Sequence, residues 1–288
     1  MASGTDLPDV RPASDLPADA ESYDVVVVGF GIAGGCAALE AARAGANVLL
    51  LERAAVHGGT SSMSGGHFYL GGGTAVQQAT GQQDDVEEMI KYLTAVSKEP
   101  EPDKIRAYAE GSVEHFDWLE ALGFEFERSY YPEKAVIQPG TQGLMYTGNE
   151  KVWPYRDLAV PAPRGHKVPV PGDTEGTRIV MDLIKDRLAD EDVEVRYETG
   201  VTNLVTNDAG EVVGIAWRSF DETGYIRAKA VVVAAGVYAA TMSGFITKPP
   251  AAMTTADVAI APWSSKERHP RPTTAPSSAT TRFVAPVS

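Results

Sequence analysis

The sequence predicts an α/β fold built on a parallel sheet, on three observations. Residues 24–52 (DVVVVGFGIAGGCAALEAARAGANVLLLE) read as strand, glycine turn, helix and second strand. Apolar residues recur at helical spacing in segments starting at Asp84, Pro102 and Thr177, the last leading back toward the sheet. The chain has 288 residues, of which 43% are hydrophobic, enough to bury a core in one large or two modest domains.

Val25 to Val28 form a β-branched run suited to a strand buried on both faces. It runs into Gly29-Phe30-Gly31-Ile32-Ala33-Gly34, a full G-x-G-x-x-G. Gly29 permits the tight turn, Gly31 lets backbone approach a pyrophosphate at the helix N-terminus, and Gly34 lets the helix pack on the strand. Small residues from Ala33 to Ala42 make the helix, and Gly45 ends it. The second strand, Val48 to Leu51, carries Glu52 at its tip, where a carboxylate accepts hydrogen bonds from an adenosine ribose. This Rossmann-like unit predicts a bound dinucleotide, and by itself leaves NAD and FAD open.

A net charge of −14 and a pI near 4.8 argue against a nucleic-acid or anionic-membrane partner. Cys36 is the single cysteine, so an intrachain disulfide or thiolate cluster is excluded, and a packed, inert thiol in a reducing compartment is expected. No apolar stretch has the length of a membrane span, and residues 1–22, rich in acids and prolines, read as a disordered lead-in rather than a secretory signal. A cytoplasmic enzyme acting on a small molecule is the simplest placement. No metal-ligating cluster, serine elbow or lysine-bearing phosphate loop competes.

Past Glu52 runs RAAVHGGTSSMSGGHFYLGGGT, dense in glycines and hydroxyls suited to phosphate and ring heteroatoms. With this segment the chain resembles the flavoproteins of the fumarate reductase and succinate dehydrogenase family, including the 3-ketosteroid Δ1-dehydrogenases. The resemblance covers about residues 23–236. It continues through VRYETGVTNLVTNDAGEVVGIAW, similar to the family's adenine-passing strand and small antiparallel β-meander, and AKAVVVAAG, similar to its returning strand and turn.

The resemblance implies a Rossmann-like FAD-binding domain over residues 23–240, with a helical and loop insertion at about 74–176. It implies Gly29, Gly31, Ile32, Ala33 and Gly34 at the pyrophosphate, and Glu52 on the ribose with Arg53 beside it. Gly59, Thr60, Ser61, Ser64, Gly65 and Gly66 are implied along the diphosphate and flavin, Val201 at the adenine, and Ala235 and Gly236 at the closing turn. Respiratory members carry a flavin-linking histidine immediately before the threonine of this segment. Gly59 holds that position here and His57 is off register, so FAD is expected to bind non-covalently.

Tyr69 follows the serine-glycine-glycine run and reads either as a donor to a substrate carbonyl or as a packing aromatic. Residues 130–176 read as irregular. Within them Arg156, Arg164, His166 and Lys167 form either a cationic wall toward a substrate or a solvated loop. His115 reads as a half-buried structural histidine. The motifs stop soon after Gly236, and the family's capping domain, which bears the proton-transfer residues, is not recognisable. The chain therefore reads as a C-terminally truncated or frame-shifted member, with residues 241–288 disordered or irregular. The expected activity is hydride transfer at flavin N5 on a C–C bond next to an activating group, with NAD(P)H or an electron-donor protein as reductant. A non-catalytic FAD-binding fragment and, less favoured, an NAD-dependent reductase are the alternatives.

Overall fold

The computed structural model describes residues 10–133, 135, 139–172 and 176–236. The expected disordered tail, 241–288, lies outside the described residues. Contacts divide the chain into two units, the first of residues 1–59 and 184–288 and the second of residues 60–183.

In chain order, the first unit opens with β1 (Arg11–Pro12), β2 (Ser22–Val28), α1 (Ile32–Arg43) and β3 (Val48–Leu51). The second holds β4 (His67–Tyr69), α2 (Ala75–Ala79), α3 (Val86–Val96), α4 (Pro102–Glu110), α5 (Ser112–Ala121), β5 (Leu144–Met145), α6 (Tyr155–Leu158) and β6 (Gly165–Lys167). The division between units falls within α7 (Gly176–Asp190), after which come β7 (Glu194–Arg196), β8 (Gly200–Thr206), β9 (Val212–Arg218) and β10 (Thr223–Val233).

The first unit is a seven-stranded sheet of order β1-β8-β9-β10-β2-β3-β7. Its β10, β2, β3 and β7 run parallel, with Val26 opposite Leu49 and Val231, whereas β8, β9 and β10 form the expected antiparallel meander. Val26, Val28, Leu49 and Leu51 pack with Ile215, Ile226 and Val231 in one buried cluster. Val27 and Leu50, alternate to these, are fully buried too, as expected for strands covered on both faces. Small residues let α1 lie close on β2 and β3, burying Ala38 and Leu39.

The expected disordered lead-in, 1–22, is corrected over residues 10–22, while residues 1–9 lie outside the described residues. Arg11 and Pro12 pair in parallel with Val205 and Thr206 of β8, a 3-10 turn follows, and the Pro17 carbonyl accepts from the Arg227 guanidinium. Backbone pairing with a sheet edge orders a segment whose composition alone lacks apolar weight.

The second unit combines helices with a small antiparallel sheet of order β4-β6-β5, in which Phe68 and Leu144 both face His166 in register. The segment expected to be irregular thus supplies two of its three strands. The unit is also wider than the expected 74–176 insertion. The Thr177 N–H donates to the Ser64 carbonyl at 3.2 Å and the Val168 N–H to Gly66 at 3.1 Å, tying the glycine-serine segment into it. The helical pattern from Pro102 breaks at Gly111 into α4 and α5, and the break places the buried Ser112 hydroxyl 2.8 Å from the Gly71 N–H, which it accepts.

Candidate functional site

In the first unit the glycine turn is held by contacts that only glycine tolerates. Gly29 has φ +100°, and a Cβ there would lie 2.7 Å from the Ala234 carbonyl oxygen. A Cβ on Gly34 would fall on the Gly29 carbonyl oxygen itself. The Ala234 N–H donates to the Val28 carbonyl at 2.8 Å, so the β10 end with Ala235 and Gly236 rests against the glycine turn. These residues, separated by two hundred positions, are brought together.

Helix α1 begins at Ile32 with Gly31 as its N-cap. No side-chain hydrogen bond caps it, and its first turn holds no acid, so the turn, with Ala33 and Gly34, offers N–H groups and the positive end of the helix dipole to an anion. Ala33 is exposed there.

Glu52 stands at the tip of β3. Its Oε2 accepts from the Phe30 N–H at 2.7 Å and its Oε1 from the Ala54 N–H at 2.8 Å. The sequence assigned this carboxylate only to a ribose; the geometry makes it a staple of the turn as well. Each oxygen retains acceptor capacity for a sugar hydroxyl. The stem of Arg53 runs beside Gly200, where a Cβ would meet its Cγ at 3.4 Å; Gly200, at the start of β8, carried no signal in the sequence. Val201 follows it, and β1 pairs only with Val205 and Thr206 further along β8. The Val201 side chain packs on the core cluster, which leaves its backbone as the group that can meet a base.

Gly59 ends the first unit with φ +47° and open space where a Cβ would be. His57 lies beside Tyr197 in that unit, with Nδ1 3.5 Å from the tyrosine hydroxyl.

Thr60, Ser61, Ser64, Gly65 and Gly66 belong to the second unit. Ser61–Met63 form a 3-10 turn after Thr60, and the Ser64 hydroxyl pairs with that of Thr177. Gly66 has φ +77°, and a Cβ there would meet Val168 Cγ2 at 2.7 Å; a Cβ on Gly176 would meet the Gly65 carbonyl. Packing within the second unit therefore requires glycine at Gly66 and at Gly176, which lies against the Gly65 carbonyl.

The three catalytic candidates are all committed to internal partners. Arg164 is fully buried and pairs with buried Asp84 through Nε at 3.0 Å and Nη2 at 2.7 Å. Asp84 also accepts from the Gly72 N–H and Gln77 Nε2. His166 is fully buried against Phe116 and Phe126; its Nδ1 donates to the Arg164 carbonyl at 3.0 Å, which leaves Nε2 to accept from the Thr74 hydroxyl at 2.8 Å. Burial depresses its pKa to about 4, so it is the neutral imidazole near pH 7. The Tyr69 hydroxyl donates to Glu150 Oε1 at 2.8 Å, and burial, with the Glu150 charge, pushes its pKa well above the usual phenol range.

Lys167 is buried with Nζ 2.6 Å from the Val170 carbonyl, and Arg156 is exposed beside Asp157. Arg156 is solvated, whereas Arg164, His166 and Lys167 are buried and form neither a cationic wall nor a solvated loop. The Arg164 charge is met by Asp84 and the Lys167 ammonium by the Val170 carbonyl inside the second unit, although Arg164 Nη1 is buried without a hydrogen bond. His115 is half-buried on α5 beside Trp118, as expected, and burial lowers its pKa. Among the described residues no group of His, Cys, Asp and Glu has metal-site geometry, and no helix is long and apolar enough to cross a membrane.

Comparison with known proteins agrees with this geometry. A family model described as an FAD binding domain matches residues 24–261, past Gly236 where the recognised motifs end. The 3-oxo-5-alpha-steroid 4-dehydrogenase of Comamonas testosteroni is 34% identical over 200 residues, covering 68% of this chain and 37% of the relative. The 3-ketosteroid-Δ4-(5α)-dehydrogenase structure from Rhodococcus jostii superposes with a TM-score of 0.74 at 39% identity, covering 78% of this chain and 48% of that one. A flavocytochrome c3 fumarate reductase follows with a TM-score of 0.58 at 29% identity, covering 74% of this chain and 33% of that one. The chain thus spans a third to a half of the length of these relatives. The uncapped α1 N-terminus, the glycine-only contacts and the Glu52 carboxylate fit FAD, and the chain belongs to the FAD-binding-domain family of flavoproteins.

Proposed function

We propose that this chain carries the FAD-holding part of an oxidoreductase that acts on a C–C bond next to an activating group, of the ketosteroid dehydrogenase or fumarate reductase type. The observation that carries the reading is the Gly29–Gly34 turn under an uncapped α1, with Glu52 stapled at the adjacent strand tip. The flavin, when bound, supplies hydride transfer at N5. The chain's own part is to bind and orient. Gly29, Gly31, Ile32, Ala33 and Gly34 take the pyrophosphate, Glu52 the ribose with Arg53 beside it, the Val201 backbone the adenine, and Ala235 and Gly236 close the turn. Gly59, Thr60, Ser61, Ser64, Gly65 and Gly66 are assigned to the diphosphate and flavin through the family motif. Binding is non-covalent, because Gly59 supplies no side chain to link.

Arg164, His166 and Lys167 each have internal partners, so they offer no clamp for a dicarboxylate. The electrons come from NAD(P)H, a reduced carrier protein or, in the dehydrogenase direction, the substrate itself, and the acidic, single-cysteine composition suits a cytoplasmic setting.

A second reading, an FAD-binding fragment without turnover of its own, is favoured by one observation. Every proton-transfer candidate the sequence offered is bonded within the second unit. The test is to purify the chain, titrate it with FAD, and follow flavin absorbance during reduction by NAD(P)H or dithionite and reoxidation by an enone or fumarate. Turnover with an enone supports the first reading, and stable binding without turnover supports the second. A chain that takes up no flavin contradicts both.

A further inference from the structure

A pyrophosphate turn of the G-x-G-x-x-G type is served by any small residue between its first two glycines, yet this chain places a phenylalanine there and buries it completely. The Phe30 ring lies 5.3 Å from the His57 ring at 38° and 6.4 Å from the Tyr197 ring at 19°. Room for it comes from Gly35, where a Cβ would meet Phe30 Cε2 at 3.0 Å and Ile184 Cγ2 at 2.8 Å. The same residue uses both backbone groups on the cofactor side. Its N–H donates to Glu52 Oε2 at 2.7 Å, and its carbonyl accepts from the Gly58 N–H at 2.7 Å. His57 belongs to the loop that follows Glu52. Tyr197 follows β7, whose Arg196 carbonyl accepts from the Glu52 N–H at 2.9 Å. Three chain segments that surround the carboxylate therefore meet in one aromatic stack.

We propose that the Phe30–His57–Tyr197 stack is a positioning device for the Glu52 carboxylate and, through it, for the adenosine ribose of FAD. The proposal rests on the assignment of Glu52 to the ribose. The stack fixes the Phe30 peptide, the peptide N–H fixes one carboxylate oxygen, and the other oxygen is fixed by Ala54. The carboxylate then meets the two sugar hydroxyls without first losing rotational freedom. Phe30, His57 and Tyr197 touch neither flavin ring nor substrate in this scheme; they act only through Glu52.

The test is a double-mutant cycle read by the equilibrium affinity of the full chain for FAD, from quenching of flavin fluorescence, with no turnover required. Tyr197→Ala and Phe30→Leu each weaken FAD binding by about tenfold in the otherwise native chain. In a Glu52→Ala background the same changes cost less than about twofold, because the group they position is gone. Tyr197→Phe keeps the ring and restores native affinity.

Equal losses in both backgrounds would mean a merely structural role and overturn the proposal, as would native affinity in Tyr197→Ala. Native affinity in Glu52→Ala alone would remove the ribose assignment, and the proposal with it. Tyr197 and His57 are half-buried, so Tyr197→Ala and His57→Ala, checked by unfolding midpoint, decide the matter where Phe30→Leu fails to fold.

Discussion

Gly34 lies so close to Gly29 that a methyl group on Gly34 would overlap the Gly29 carbonyl oxygen. Neither backbone segment can retreat, because Gly29 is itself pressed against Ala234 and donates its N–H to Leu51 at 2.7 Å. Gly34→Ala is therefore expected to destabilise the first unit by about 3 kcal/mol or more, the upper range for overpacking against a fixed backbone. Urea unfolding of apoprotein checks this, and a native-like midpoint contradicts it. Gly45→Ala is the contrast: with φ +88° but open space around it, it carries only the backbone penalty, about 1 kcal/mol.

The Asp84–Arg164 pair is wholly buried and bidentate. Removing one partner leaves a charge inside the second unit, so Arg164→Met and Asp84→Asn are each expected to cost about 3–5 kcal/mol. Arg164→Lys should recover little, because a single ammonium cannot reproduce the two-pronged contact. Denaturant midpoints of the three variants give the answer. A loss below about 1 kcal/mol in Arg164→Met would contradict a buried, paired charge at this position.

His166 makes stability depend on pH. Its folded pKa, about 4, lies below its ordinary value of 6.5, so between these values the unfolded chain binds the proton the folded chain refuses. The contribution is fully present above about pH 6.5 and is lost as pH falls toward 4, by roughly 3 kcal/mol at the end of the window. His166→Asn, which keeps a donor for the Arg164 carbonyl, should flatten the profile over that window relative to the native chain. Identical profiles would show that the proton goes elsewhere.

Burial pushes the Cys36 thiol up to about 12, within α1. The folded chain should resist iodoacetamide and disulfide reagents at pH 8 and react with one equivalent once denatured. Rapid labelling of the native chain, with its circular dichroism unchanged, would mean that α1 opens.

The β2–α1–β3 unit was legible because each of its instructions is local: an unbroken β-branched run, glycines at fixed offsets, an acid at a strand tip. The turn at Ala235-Gly236 came from motif likeness rather than from physics, and the structure sets Ala234 and Ala235 beside Gly29. What the sequence hid was pairing over distance. Asp84 and Arg164 stand 80 positions apart, and nothing in either neighbourhood marks them as partners. Without Asp84, Arg164 and His166 looked like free cations, and the loop around them looked solvated. Gly111 was hidden for a different reason: helical spacing continues through it, and only the bond from Gly71 to Ser112 explains a break there. The burial of Phe30 was equally silent, since the motif specifies its glycines and not the residue between them.

The two residues of β1 have a consequence for handling the protein. They are laid along the outer edge of β8, at Val205 and Thr206, and so occupy backbone groups that another chain's strand would otherwise recruit. At the opposite end the edge strand β7 is only three residues long, too short to template much pairing. A chain shortened to begin at Ser22 would keep every residue assigned to FAD and yet expose the β8 edge, and self-association rather than lost cofactor would be its first symptom.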